Sequence, residues 1–101
     1  LANYIAVYDL EDMTPSPYSR FIEQAEKQGW SAFIWGETSK KWLRLPNTTL
    51  IGEFSDGASA KKAFDDARGA AEKLLGRKIK VEKHLIATYA ATSYSSDEKV
   101  D

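Results

Sequence analysis

The sequence predicts an α+β fold in the order strand, helix, strand, strand, helix, strand, and three observations predict it. Runs of β-branched and aromatic residues at Tyr4–Tyr8, Trp30–Trp35 and Thr48–Phe54 have the composition of pleated strands. Two stretches repeat apolar residues at helical spacing: Tyr18, Phe21, Ile22 and Ala25, then Ala60, Ala63, Phe64, Ala67, Ala71, Leu74 and Leu75. Each of these stretches ends at a glycine, Gly29 or Gly76, where a helix takes a left-handed residue.

Taken in order, the first strand places Ile5 and Val7 on one face and Tyr4, Ala6 and Tyr8 on the other. Ile5 and Val7 are assigned to the core. Asp9 follows them in phase, at the point where the strand leaves that core. Met13 to Pro17 cannot continue a strand, and Ser16 is the expected cap of the first helix, with Pro17 at its first position. The second strand, Trp30 to Trp35, carries Ser31, Phe33 and Trp35 on one face and Trp30, Ala32 and Ile34 on the other. Gly36 opens a polar connection, and Trp42 to Leu45 extends a hairpin that Pro46-Asn47 turns. The third strand sets Leu50, Gly52 and Phe54 against Thr49, Ile51 and Glu53, with Gly52 placed where only a small residue fits beneath a helix.

Ser55-Asp56-Gly57 caps the second helix, whose alanines imply a close approach to the sheet with Phe64 as the large anchor. Ile79 to Ile86 alternates with lysines and reads as an edge strand. Residues 1–92 form one domain and residues 93–101 a flexible tail. Right-handed crossovers then place both helices on one face of a four-stranded antiparallel sheet, the ferredoxin-like βαββαβ arrangement.

Composition bounds the function. A chain of 101 residues with 43% hydrophobic and 29% charged residues suits one soluble domain with a real core. A formal net charge of −1 excludes diffuse attraction to nucleic acid or an anionic membrane, though not a local basic patch. The absence of cysteine removes disulfides and thiolate metal sites. No apolar run is long enough to span a bilayer and no signal-like start is present, so a cytoplasmic protein is the expectation. The chain does not begin with Met, which suggests a processed or trimmed start.

The helices cover one face of the sheet, and these phases leave Tyr4, Tyr8, Phe33, Trp35 and Ile51 on the other. A bare apolar face of this kind invites a cover. Three covers compete: a homodimer through Tyr4, Tyr8, Phe33 and Trp35, the chain's own tail helped by Tyr89 or Tyr94, and RNA bases stacked on the rings. The glycine and aromatic signature of the common RNA-stacking sheet is absent. Lys40, Lys41 and Arg44, interleaved with Trp42, suit a phosphate backbone and a stacked base, and equally a solvated hairpin. His84 is the only histidine and has no matched ligand set or nucleophile elbow around it.

The run Tyr4-Ile5-Ala6-Val7-Tyr8-Asp9-Leu10, the helix closed by Gly29 and the aromatic strand after it resemble the small CRISPR adaptation nucleases and VapD proteins. Pro17-Tyr18-Ser19 with Phe21 or Ile22, and Leu45-Pro46-Asn47-Thr48-Thr49, bring the chain nearer to the GhoS-like endoribonuclease antitoxins of type V toxin–antitoxin systems. The resemblance covers most of the chain as a pattern. It implies a small RNA-binding protein, with sequence-selective endoribonuclease activity, in an antitoxin or defence system. It makes Asp9 the catalytic and metal-binding residue, sharing Mg²⁺ or Mn²⁺ with its copy across a homodimer. Lys40, Lys41, Trp42 and Arg44 would hold the substrate. Glu23 and Glu26 depart from that pattern, standing where such antitoxins carry arginines on the first helix. The other reading is a non-catalytic ferredoxin-like module that dimerises or regulates a protein partner.

Overall fold

The computed structural model describes all of residues 1–101. Seven strands and two helices follow the chain: β1 (Ala2–Leu10), α1 (Tyr18–Lys27), β2 (Trp30–Ser31), β3 (Phe33–Gly36), β4 (Lys41–Arg44), β5 (Thr49–Phe54), α2 (Gly57–Leu75), β6 (Val81–Thr88) and β7 (Lys99–Val100). The fold is α+β, with two antiparallel sheets. One has four strands in the order β2-β5-β1-β6, and the other has three in the order β3-β4-β7. No helix is long and apolar enough to cross a membrane.

The first strand turns its faces the opposite way from the expectation. Tyr4, Ala6, Tyr8 and Leu10 are buried beneath the helices, while Ile5, Val7 and Asp9 lie on the open side. Both alternating sets are apolar, so periodicity alone does not choose between them. The alanines of α2 choose. Ala60, Ala63, Ala67 and Ala71 are buried against the sheet and leave depth that tyrosine rings fill and β-branched stubs would not. Tyr8 meets Phe21 edge-on at 5.0 Å and Phe64 at 5.7 Å, and Phe21 meets Phe64 at 5.0 Å. Tyr18 then fastens the strand's end: its hydroxyl donates to the Leu10 carbonyl at 3.1 Å and accepts from the Leu10 N–H at 3.0 Å.

The second predicted strand breaks in two at Ala32. Trp30 sits opposite Gly52 and Ser31 opposite Ile51, whereas Phe33 sits opposite Arg44 and Trp35 opposite Trp42. Leu45 to Thr48 are interposed on the returning chain, with Thr48 in the left-handed region at φ 60°, and the Leu45 N–H donates to the Ala32 carbonyl at 2.9 Å. These extra residues shift the register, so the outer part of the hairpin leaves the main sheet as a separate arm. At its base Gly52 is required. A Cβ there would stand 2.6 Å from the Gly29 carbonyl oxygen, and Gly29 itself closes α1 at φ 101°.

Smaller corrections follow from caps and pairing. Pro17, not Ser16, occupies the cap position of α1, and the Ser16 hydroxyl accepts only a long bond from the Tyr18 N–H, 3.4 Å. Asp56 caps α2 as expected, accepting from the Ser59 N–H at 2.7 Å, and Gly76 ends it at φ 67°. The last strand of the main sheet runs later than predicted, to Thr88, because Ile79 is buried beside α2 and its N–H donates to the Glu72 carboxylate at 2.8 Å. The tail, expected to fray from Ser93, returns to pair with β4 as β7.

Phe64 is 1% exposed and lies between Phe21, Tyr8 and His84. Phe64→Ala should therefore cost about 3–5 kcal/mol, read from the shift of the urea midpoint at constant slope. A cost under about 1 kcal/mol would remove Phe64 from the centre of the core.

Candidate functional site

The β3–β4 arm owes its shape to a tight tip. Lys40 adopts φ 56°, and its N–H donates to the Gly36 carbonyl at 2.8 Å. Gly36 has no room for a side chain, since a Cβ would lie 2.6 Å from the Ser39 hydroxyl and 3.0 Å from Leu43. The register places Phe33, Trp35, Trp42 and Arg44 in cross-strand pairs on one face of the arm, with Ile34, Lys41 and Leu43 on the other. The Trp35 and Trp42 rings lie 5.2 Å apart at 67°, and the side chains remain 36% and 42% exposed. Two neighbouring indoles left this open are costly to hydrate and available to a planar ligand.

Arg44 is held in place. Its guanidinium lies 5.8 Å from the Phe33 ring centre and donates to the carbonyls of Ala32 at 3.3 Å and Leu45 at 2.9 Å. One terminal nitrogen makes both bonds, so the rest of the fork keeps donors for a ligand. The two lysines are balanced by acids: Lys40 by Glu37 at 3.5 Å and Lys41 by Asp101 at 3.1 Å. Of the four residues expected to hold substrate, Trp42 and Arg44 therefore share a face, while Lys41 lies on the opposite one.

The expected dimer face divides in the same way. Tyr4 and Tyr8 are core residues, 8% and 2% exposed. Phe33 is half-buried and Trp35 belongs to the arm. What the main sheet leaves open is Ile5, Val7 and Ile51, with Leu85 on β6, and the cross-strand neighbours Val7 and Leu85 are 42% and 63% exposed. The inner part of this face forms the floor of a cleft of about 730 Å³, walled by Leu43 and Pro46 from the hairpin and by Tyr89 and Tyr94 from the C-terminal segment.

Asp9 is exposed on the open face at a register shift in the β1–β6 pairing, with Lys83 as its cross-strand neighbour. No three His, Asp or Glu residues are grouped where they could hold a metal ion. One carboxylate is not a ligand set for Mg²⁺ or Mn²⁺, which want several oxygens, so the residues of a single chain do not fit the implied ion. His84 stacks loosely on Phe64 at 5.9 Å, a packing role.

Sequence reasoning missed Trp35 as the partner of Trp42. The signal was present: the two indoles flank the 36–41 turn symmetrically, one residue beyond Gly36 and Lys41, so a tight hairpin must pair them. Searches against protein-family models, curated proteins and solved structures find no match for this chain.

The Tyr8 hydroxyl is buried without a hydrogen-bond partner, and burial pushes its pKa up to about 12, against a smaller lowering by the Arg44 charge. The raised value favours protonated Tyr8 in the folded state, so its contribution to stability is complete below pH ~10 and is lost as pH rises toward about 12. Tyr8→Phe should flatten this alkaline loss, measured as urea midpoints on either side of that window. At neutral pH it should cost under about 1 kcal/mol, because no bond is broken.

Proposed function

We propose that this protein is a small RNA-binding module of ferredoxin-like arrangement, taking single-stranded RNA on the exposed face of the β3–β4 arm. The strand order β2-β5-β1-β6, with both helices packed on one side, supports the arrangement. The observation that carries the function is the pair of open indoles, Trp35 and Trp42, with Arg44 and Phe33 in the next cross-strand pair. A base needs a ring to stack on, and a phosphate needs a donor fork a few ångströms away. Unpaired RNA offers both, whereas a duplex keeps its bases stacked inside. With a net charge of −1, long-range attraction is weak, so short-range stacking has to supply most of the affinity.

A second reading concerns association, favoured by the open pair Val7 and Leu85. Asp9 and Lys83 lie next to them in register, opposite charges that a second copy related by a two-fold axis would match. Metal-dependent RNA cleavage, which the likeness to GhoS-like and VapD-like proteins implies, needs such a copy to bring a second Asp9.

Titration with a mixed-sequence single-stranded RNA should quench the tryptophan fluorescence. Trp42→Ala should weaken binding roughly tenfold, the loss of about one stacked base. An unchanged spectrum throughout the titration would overturn the reading. Asp9→Asn should bind RNA as the parent protein does, and both should leave RNA intact in Mg²⁺ or Mn²⁺. Cleavage by the parent that is lost in Asp9→Asn would establish the nuclease instead.

A further inference from the structure

We infer that the C-terminal segment, Tyr89 to Asp101, is an acidic strap that occupies the phosphate-binding flank of the arm and must yield when RNA binds. The inference rests on the RNA-binding reading and adds its regulation. One bond to β1 and four interactions with the arm lay the segment in place. It leaves β6 with the Tyr89 N–H bonded to the Asn3 carbonyl at 3.1 Å. The Tyr94 hydroxyl then donates to the Trp35 carbonyl at 3.2 Å, directly at one of the two indole residues. The Glu98 carbonyl accepts from the Arg44 N–H at 3.0 Å. Lys99 and Val100 pair with Leu43 and Trp42. Finally the Asp101 carboxylate reaches the Lys41 ammonium at 3.1 Å.

The chemistry of the segment fits competition with a polyanion. Asp97, Glu98 and Asp101 are acids, and the first two line a polar cleft of about 610 Å³ together with Arg44. The Asp101 carboxylate meets Lys41, and Asp97 and Glu98 share the cleft with Arg44. They lower the local potential that an RNA backbone would otherwise meet. The segment therefore touches three of the four residues expected from the sequence to hold substrate: it pairs with Trp42, bonds the Arg44 backbone and neutralises Lys41.

The hold is also light enough to release. β7 has two residues, both exposed, and the side chains of the Lys41–Asp101 ion pair are 45% and 93% exposed, a geometry in which an ion pair stabilises little. Short edge pairing of this kind opens at small cost while the core stays folded.

The test neutralises the strap in the 101-residue chain, as Asp97→Asn, Glu98→Gln and Asp101→Asn together. A control of equal net charge, Glu23→Gln, Glu26→Gln and Glu82→Gln, changes exposed acids away from the arm. The strap variant should bind single-stranded RNA severalfold more tightly than both the parent and the control. Its salt dependence should steepen by about 0.7 in log–log slope for each cation freed to meet a phosphate. In the parent, RNA should speed hydrogen exchange at the Arg44 amide, whose bond to Glu98 is lost. Equal affinity and slope in the strap variant and the control would overturn the strap and leave the RNA reading standing. Absence of RNA binding in all three proteins would overturn the RNA reading itself.

Discussion

The mutual burial of Tyr8, Phe21 and Phe64 is the constraint on which the rest of the structure depends. These three rings come from the central strand β1 and from both helices, and they meet at centroid distances of 5.0 to 5.7 Å. Because α2 offers only alanines on either side of Phe64, the helix approaches the sheet closely and admits large residues only from below. That requirement orients β1, and the orientation of β1 decides which side chains the open face receives. Ile5, Val7 and Asp9 face outward because Tyr4 and Tyr8 are needed within. The Tyr8 hydroxyl is carried into the core without a partner, a cost that edge-on ring packing offsets.

A second constraint shapes the β3–β4 arm. The hairpin beginning at Trp30 could have lain flat as one more pair of strands on the main sheet. The residues Leu45 to Thr48 prevent this by shifting the register between β2–β5 and β3–β4. An arm results, with β7 of the C-terminal segment paired along its β4 edge. Phe33 and Arg44 anchor its base, where the guanidinium is fixed by two carbonyls, and Trp35 and Trp42 are held up near its tip. Rings fixed on a short sheet lose little freedom when a ligand stacks on them, which is the physical advantage of this placement.

Charge is distributed with the same economy. The lysines near the arm's tip are matched by Glu37 and Asp101. Asp9, on the open face, has Lys83 as its cross-strand neighbour in register. A single chain gathers no set of oxygen ligands around Asp9.

Much of the architecture was legible in the sequence. Helical spacing from Tyr18 to Ala25 and from Ala60 to Leu75, with Gly29 and Gly76 beyond them, determined both helices, because a 3.6-residue stripe and a left-handed stop are local properties. The need for a small residue at Gly52 was readable, as was the anchor role assigned to Phe64, though the groups that crowd Gly52 are the Gly29 carbonyl and the Phe54 ring and not a helix. Local rules also located Trp42 and Arg44 in a hairpin. Only the tertiary structure decided which face of β1 is inside, since Tyr4-Ile5-Ala6-Val7-Tyr8 is apolar on both faces and the choice belongs to the alanines of a helix some fifty residues away. It alone separated β3 from β2, paired Trp35 with Trp42 and brought the tail back to β4, because register shifts and edge pairing depend on partners distant in the chain.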